Sequence, residues 1–192
     1  MVSLVNNNGA IDALLAACDT VPGQMLAAGV QGKPGRLLLR LCEPDDIGPL
    51  LDILQHPQVL ACPDFNHNVT VEGLARSIAN GNDCWQRHGA GSITVLENGH
   101  IVGRIYFARN TLNEFDIGWV VDPACWGRGI AFEAASALLT HVFASTAIRV
   151  VTAYAFIDNT RSTRLVKSLG FKETARKEIA GQVSVRYELH AR

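Results

Sequence analysis

A chain of 192 residues is long enough for one domain with a sizeable core and short for two. Hydrophobic residues make up 48% and charged residues 18%, the balance of an ordinary soluble globular protein, and a formal net charge of −1 gives no global field to gather nucleic acid or an anionic membrane. No apolar run reaches membrane-spanning length and no secretion signal opens the chain, while the five scattered cysteines and six histidines lack metal-ligand spacing; we therefore expect reduced thiols, a cytoplasmic location and no metal.

Residues 1–35 differ from the rest. Asn6 to Asn8 precede an alanine- and leucine-rich stretch, and Pro22-Gly23 and Lys33-Pro34-Gly35 punctuate the residues after it. Leu14, Leu15 and Cys18 share one face of a short predicted helix, within what reads as an N-terminal extension, partly helical or mobile. The organised domain, 36–192, begins with a strand at Arg36–Leu41. Glu43-Pro44-Asp45-Asp46 then places proline and acids where a helix start favours them, and Ile47, Leu50, Leu51 and Leu54 keep the helical period. His56-Pro57 ends that helix and a loop runs from Gln58 to Asn68. A second helix is predicted from Thr70 to Ile78, closed by Asn80-Gly81-Asn82. Strands at Ser92–Leu96 and Ile101–Ala108 flank Asn98-Gly99, a hairpin signal.

The stretch from Asp116 to Ala135 organises the remainder. Phe115, Ile117, Trp119 and Val121 alternate against Asp116, Gly118 and Val120 as a strand, which Asp122-Pro123 stops. The short loop Trp126-Gly127-Arg128-Gly129 opens a helix with Ala131, Ala135, Leu138, Leu139, Val142 and Phe143 on its apolar side. Glycines let backbone N–H groups approach a ligand, the helix start supplies partial positive charge, and Arg128 adds a full one, so the loop suits a phosphate. It is not a P-loop, since no Gly-x-x-x-x-Gly-Lys-[Ser/Thr] occurs, and it departs from the dinucleotide fingerprint, with Phe132 where a third glycine belongs. Beyond it come a strand at Val150–Phe156, a helix from Thr160 to Leu169 ended by Gly170, and a last hairpin of Phe171–Ile179 and Ser184–His190 around Gly181, which offers an edge for pairing in a homodimer.

Two segments carry a resemblance. Trp126-Gly-Arg-Gly-Ile-Ala131 resembles the coenzyme-A pyrophosphate loop of the GNAT superfamily of N-acetyltransferases, usually written [Gln/Arg]-x-x-Gly-x-[Gly/Ala], with Gly129 and Ala131 matching and Trp126 replacing the leading Gln/Arg. Asn159-Thr-Arg-Ser162, followed by Leu169-Gly170-Phe171, is similar to the signature after strand five in the branch that acetylates protein N-termini, typified by ribosomal-protein acetyltransferases. The resemblance covers about Arg36 to His190 and implies an α/β (α+β) GNAT fold: a mixed, mostly antiparallel sheet with helices on both faces and a splay between strands four and five, counted from Arg36. It further implies acetyl-CoA as cosubstrate and a primary amine as acceptor, a protein or peptide N-terminus in this branch or otherwise a polyamine, aminoglycoside or amino-acid derivative.

By matched position, Val120 and Val121 contact pantetheine through their backbone, Trp126, Gly127, Arg128, Gly129, Ile130 and Ala131 surround the pyrophosphate, with Trp126 packing beside it, and Asn159 and Ser162 lie along the pantetheine arm. Gly118 is the expected place for a bulge or close backbone approach. Asp116 stands where the branch has glutamate and is either the base for the amine, directly or through water, or a structural carboxylate; Glu114 is an alternative base. Ser162 either meets the coenzyme sulfur or satisfies helix N–H groups, as Asn159 and Gly170 do as caps. Val166 occupies the position where many members carry an acidic tyrosine, which leaves a non-catalytic acetyl-CoA-binding domain open. The acceptor cleft is expected between the loop Ala61–Asn68, which offers Phe65, and the final hairpin near Gly181.

Overall fold

The computed structural model describes residues 26–28, 36–65 and 69–191. The helix predicted around Leu14, Leu15 and Cys18 lies outside them. Among the described residues, eight strands form one sheet: β1 (Leu26–Ala28), β2 (Leu37–Leu41), β3 (Ile93–Glu97), β4 (His100–Arg109), β5 (Phe115–Val121), β6 (Val150–Phe156), β7 (Lys172–Ile179) and β8 (Gln182–His190). Their order is β1-β2-β3-β4-β5-β6-β8-β7, and every neighbouring pair is antiparallel except β5–β6. β1 thus adds an edge strand from within the stretch read as an extension. Two tight hairpins are made by residues that accept positive φ: Asn98-Gly99 joins β3 to β4 at φ 51° and 81°, and Ala180-Gly181 joins β7 to β8 at 51° and 79°.

Among the described residues, five α-helices cover both faces: α1 (Ile47–Leu54), α2 (Pro57–Leu60), α3 (Val71–His88), α4 (Ile130–Ser145) and α5 (Thr160–Ser168). On one face Leu138, Leu139 and Val142 of α4 and Val166 of α5 pack on Ile105, Phe107, Ile117, Val151, Ala153 and Val185. On the other, Leu50 and Ile53 of α1, Val59 of α2 and Leu74 and Ile78 of α3 pack with Val120 of β5. Alternation along β5 sends Ile117 and Val120 to opposite cores.

Two expectations change here. Asn80-Gly81-Asn82 does not close the second helix; α3 continues to His88 and ends at Gly89, whose φ of +71° makes the left-handed cap. Gly81 is instead a point of close approach, because a Cβ there would come within 2.4 Å of Ser92 Oγ. Nor is there a bulge at Gly118: β4 and β5 pair without a shift from Gly103–Val121 to Arg109–Phe115, and the sheet's irregularity near this region lies between Val95 and Leu96 of β3.

Candidate active site

β5 and β6 pair through a single register, Asp116 with Thr152, and then part. This is the splay expected between the fourth and fifth strands after Arg36. Beyond the point of parting, a cleft of ≈ 340 Å³ is lined by Trp119, Val120 and Val121 of β5, by Trp126, Gly127 and Gly129 to Phe132, and by Asn159, Arg161, Ser162, Arg164 and Leu165. Val59 and Cys62 reach it from the α2 side.

The loop at the cleft mouth is built from glycine conformation. Gly127 and Gly129 both sit at φ +77°, and a Cβ on either would meet nothing within 4 Å, so their backbone faces open space. Gly129 is the N-cap of the 16-residue α4, so the first N–H groups of that helix have no intrahelical acceptor and are left for a ligand. Exposed backbone, positive φ and a helix start together fit a pyrophosphate. Trp126 stands beside the loop: its Nε1–H donates to the Val121 carbonyl at 2.8 Å, and the Arg161 guanidinium lies 4.0 Å from its ring centroid.

The Arg128 guanidinium donates to Glu97 at 2.8 Å and lies 3.5 Å from the Sγ of Cys125, a residue of the cleft wall. Glu97 is 9% exposed, and a carboxylate that far out of water draws the nearest cations, here Arg128 and, at 3.7 Å, Arg36. Cationic side chains in the cleft come from Arg161 and Arg164, which the glycine-loop motif did not indicate. Ile130 is buried in the α4 core and Ala131 lines the cleft.

Asn159 is buried, and its side-chain oxygen accepts the Ser162 N–H at 3.2 Å, capping α5; its amide donates to Asp64. Asp64 also accepts the Phe156 N–H at 2.8 Å, which fastens the turn Pro63–Phe65 to the end of β6. The side chain of Phe65 lies outside the described residues. Val166 is fully buried in the α4–α5 core, so no polar side chain comes from that position.

Asp116 lies at the closed end of the splay, on the face of α1–α3. Thr152 Oγ1 and Asn110 Nδ2 donate to its carboxylate, the latter at 2.9 Å. Burial raises its pKa, and these two donors only partly counter that. Glu114 behaves in the opposite sense. Burial, the largest single influence, pushes it up, but hydrogen bonds from Arg186, at 2.5 Å, and from Asn110 and Tyr154, with the charge of Arg186, together outweigh it and hold its carboxyl below the usual range. Of the two candidate bases, the environment favours proton uptake at Asp116.

Residues 36–172 match the family model of the acetyltransferase (GNAT) domain. An uncharacterized N-acetyltransferase of Bacillus subtilis, YnaD, is 35% identical over 74 residues, which span 38% of this chain and 42% of that protein. Among solved structures, a putative GNAT-family acetyltransferase from Bordetella pertussis superposes with a TM-score of 0.71 at 22% identity, covering 86% of this chain and 98% of its own. A Salmonella typhimurium acetyltransferase said to modify the N-terminal serine of a 50S ribosomal subunit protein gives 0.69 at 17%, covering 87% and 99%. A ribosomal L7/L12 alpha-N-protein acetyltransferase in complex with coenzyme A gives 0.70 at 18%, covering 87% and 98%. At such identities these structures speak for the fold alone, but the family model spans well over half of the chain. The chain belongs to the GNAT family of acetyltransferases, enzymes that move an acetyl group from acetyl-CoA.

Proposed function

We propose that residues 36–192 form a domain that acetylates the amine of a peptide or protein N-terminus, in the cytoplasm, by direct attack of the neutral amine on the thioester of acetyl-CoA. The observation that carries the reading is the placement of Asp116, raised by burial, where β5 and β6 part, with the glycine loop and the start of α4 at the far end of the same opening. When bound, the coenzyme supplies an activated acyl group; the chain's own residues hold and deprotonate. Backbone N–H groups of Gly127 to Ala131 hold the pyrophosphate, the Val120 and Val121 backbone and Asn159 line the pantetheine path, and Ser162 stands along it. Asp116 takes the amine proton, directly or through water, and N–H groups of β5 stabilise the oxyanion.

An α-amino group, with a pKa of about 7.7–8.0, asks far less of such a base than a lysine amine near 10.4. One neighbour of similar fold, by its own description, acts on an N-terminal serine, which agrees with that acceptor class. The test is thiol release from acetyl-CoA with N-terminal peptides beginning in serine, alanine, glycine and leucine, alongside spermidine and an aminoglycoside. Turnover of peptides is expected. Efficient acetylation of spermidine or the aminoglycoside with no peptide turnover would replace the acceptor, and coenzyme binding without any turnover would leave a binding domain.

A further inference from the structure

Gly127 and Gly129, both at φ +77°, bracket Arg128, and neither has a neighbour over the place of its Cβ, so packing does not fix them there. Two glycines around one residue make a hinge. Among the described residues, no backbone–backbone hydrogen bond reaches Gly127 or Arg128. The loop is instead gripped at Arg128 by residues far from it in the chain. The Arg128 guanidinium donates to Glu97 Oε1 at 2.8 Å, and its carbonyl accepts from Arg36 Nη2. Through Nε the same Arg36 donates to Glu133, in the first turn of α4, at 3.1 Å, and its Nη1 lies 3.7 Å from the same oxygen of Glu97.

Strand register explains how these groups meet. Leu37 of β2 pairs with Glu97 at the end of β3, which puts Arg36 and Glu97 side by side at one end of the sheet. Glu97 is buried, and one of its oxygens gathers two guanidiniums that would otherwise repel each other. On charge alone its place is a poor one. An acid beside an anion-binding loop lowers the potential that attracts phosphate. Its geometry gives it a different use.

We propose that Glu97 and Arg36 are positioning residues for the coenzyme. They hold Gly127-Arg128-Gly129 in its binding conformation before the ligand arrives, so that the hinge need not be ordered during binding. Neither residue belongs to the glycine-loop motif, and both act through Arg128 and the first turn of α4. Fixing the backbone of even one residue is worth roughly tenfold in affinity, so loss of the grip should weaken coenzyme binding by at least about that factor. For Glu97, charge alone predicts the opposite: removing a carboxylate near a bound polyanion should tighten binding.

The inference rests on the placing of the pyrophosphate at Gly127 to Ala131, which Gly129→Asp tests separately. Glu97→Ala, Glu97→Gln, Arg36→Ala and Arg36→Lys would be titrated with coenzyme A by calorimetry at low and high salt. The same variants would be assayed for kcat and for the KM of acetyl-CoA and of the acceptor. We expect Glu97→Ala to bind coenzyme A at least tenfold more weakly than wild type at both salt concentrations. The KM of acetyl-CoA should rise with it, while the acceptor KM and kcat at saturation stay within about twofold. Glu97→Gln, which keeps the shape and an acceptor for Arg128, should recover most of the affinity. Arg36→Lys keeps the charge but loses the fork that joins Arg128, Glu133 and Glu97, so it should bind as weakly as Arg36→Ala. If Glu97→Ala fails to fold, the Arg36 pair decides. Coenzyme affinity at or above wild type in Glu97→Ala, or wild-type affinity in Arg36→Lys, overturns the proposal. Should Gly129→Asp weaken binding in that case, only the positioning role falls; should it bind as wild type does, the loop assignment falls as well.

Discussion

Gly129 is the sharpest point at which to test the coenzyme loop. At φ +77°, a residue with a side chain pays conformational strain of about 1–2 kcal/mol, aspartate and asparagine less than the others. With nothing within 4 Å of its Cβ, no clash adds to this, so for a chain of this size Gly129→Ala should lower Tm by only ~2–8 °C. Gly129→Asp should fold at least as well as Gly129→Ala, because aspartate tolerates the left-handed region better than alanine. Its effect on the ligand is different. A carboxylate some 4 Å from a bound phosphate repels it by about 1–4 kcal/mol between the dielectric of water and that of a protein surface. Since each 1.4 kcal/mol is tenfold, coenzyme A should bind roughly five-fold to several hundred-fold more weakly to Gly129→Asp than to Gly129→Ala. Calorimetric titration with coenzyme A and a thermal melt of each variant measure both quantities. If Gly129→Asp binds coenzyme A as tightly as wild type, the pyrophosphate does not lie against this loop.

Three further outcomes are expected. Asp116→Asn should lower kcat/KM by ~10²–10⁴ with coenzyme affinity unchanged, and should abolish an acid limb that lies above the ordinary aspartate range because burial raises this carboxyl; a pH–rate profile identical to wild type would make Asp116 structural. Because its folded pKa is raised, the stability that Asp116 contributes is present below the unfolded value near 3.9 and lost as pH rises through the folded value, so the Tm of wild type minus that of the Asn variant should be larger at acid than at neutral pH. Asp46, buried and held by Arg40 through two contacts of 2.7 Å, by Thr94 at 2.6 Å and by the Glu43 N–H at 2.9 Å, is shifted the other way: burial pushes it up, but these donors outweigh it and hold it low. Its contribution is present above the unfolded value and lost as pH falls through the folded one, and Asp46→Ala, by stranding Arg40, should lose about 3 kcal/mol or roughly 6–12 °C in a thermal melt at pH 7, whereas a loss under 1 °C would contradict the pairing. Arg161→Ala should weaken coenzyme-A binding in a salt-dependent way by removing a cleft cation and its stacking on Trp126, and Arg161→Lys should recover only part of it; equal affinities at low and high salt would place Arg161 outside the phosphate field.

What the sequence shows is whatever depends on neighbours along the chain. Asn98-Gly99 predicts its hairpin because both positive φ values come from the two residues themselves, and Gly127 and Gly129 mark the loop for the same reason. Asn80-Gly81-Asn82 misleads by the same local logic: its glycine serves the packing of α3 against Ser92, a tertiary demand that overrides a weak helix-breaking tendency. Arg128 pairs with Glu97, buried beside it and 31 positions earlier, and Asp64 braces Phe156 and Asn159 across 92 and 95 positions. No pattern of period two or 3.6 records such pairings.

Val166 bears on how the reaction divides its proton transfers. A fully buried valine cannot donate to the leaving sulfur, and around it the cleft is walled by Leu165 and the α5 start rather than by an acid. The two ends of the reaction do not need equal help. An aliphatic thiol ionises near 8.5, so a departing thiolate is a tolerable species at neutral pH and a hydroxyl such as that of Ser162 suffices to meet it. The attacking amine arrives largely as a cation and is inert until it loses a proton. On the proposed reading, Asp116 as a raised carboxylate at the amine end and, among the described residues, no strong acid at the sulfur end match that asymmetry, with Glu114 tied to Arg186 and held low beside it. On that reading the pH dependence of turnover is expected to belong chiefly to Asp116 and to the acceptor's own amine.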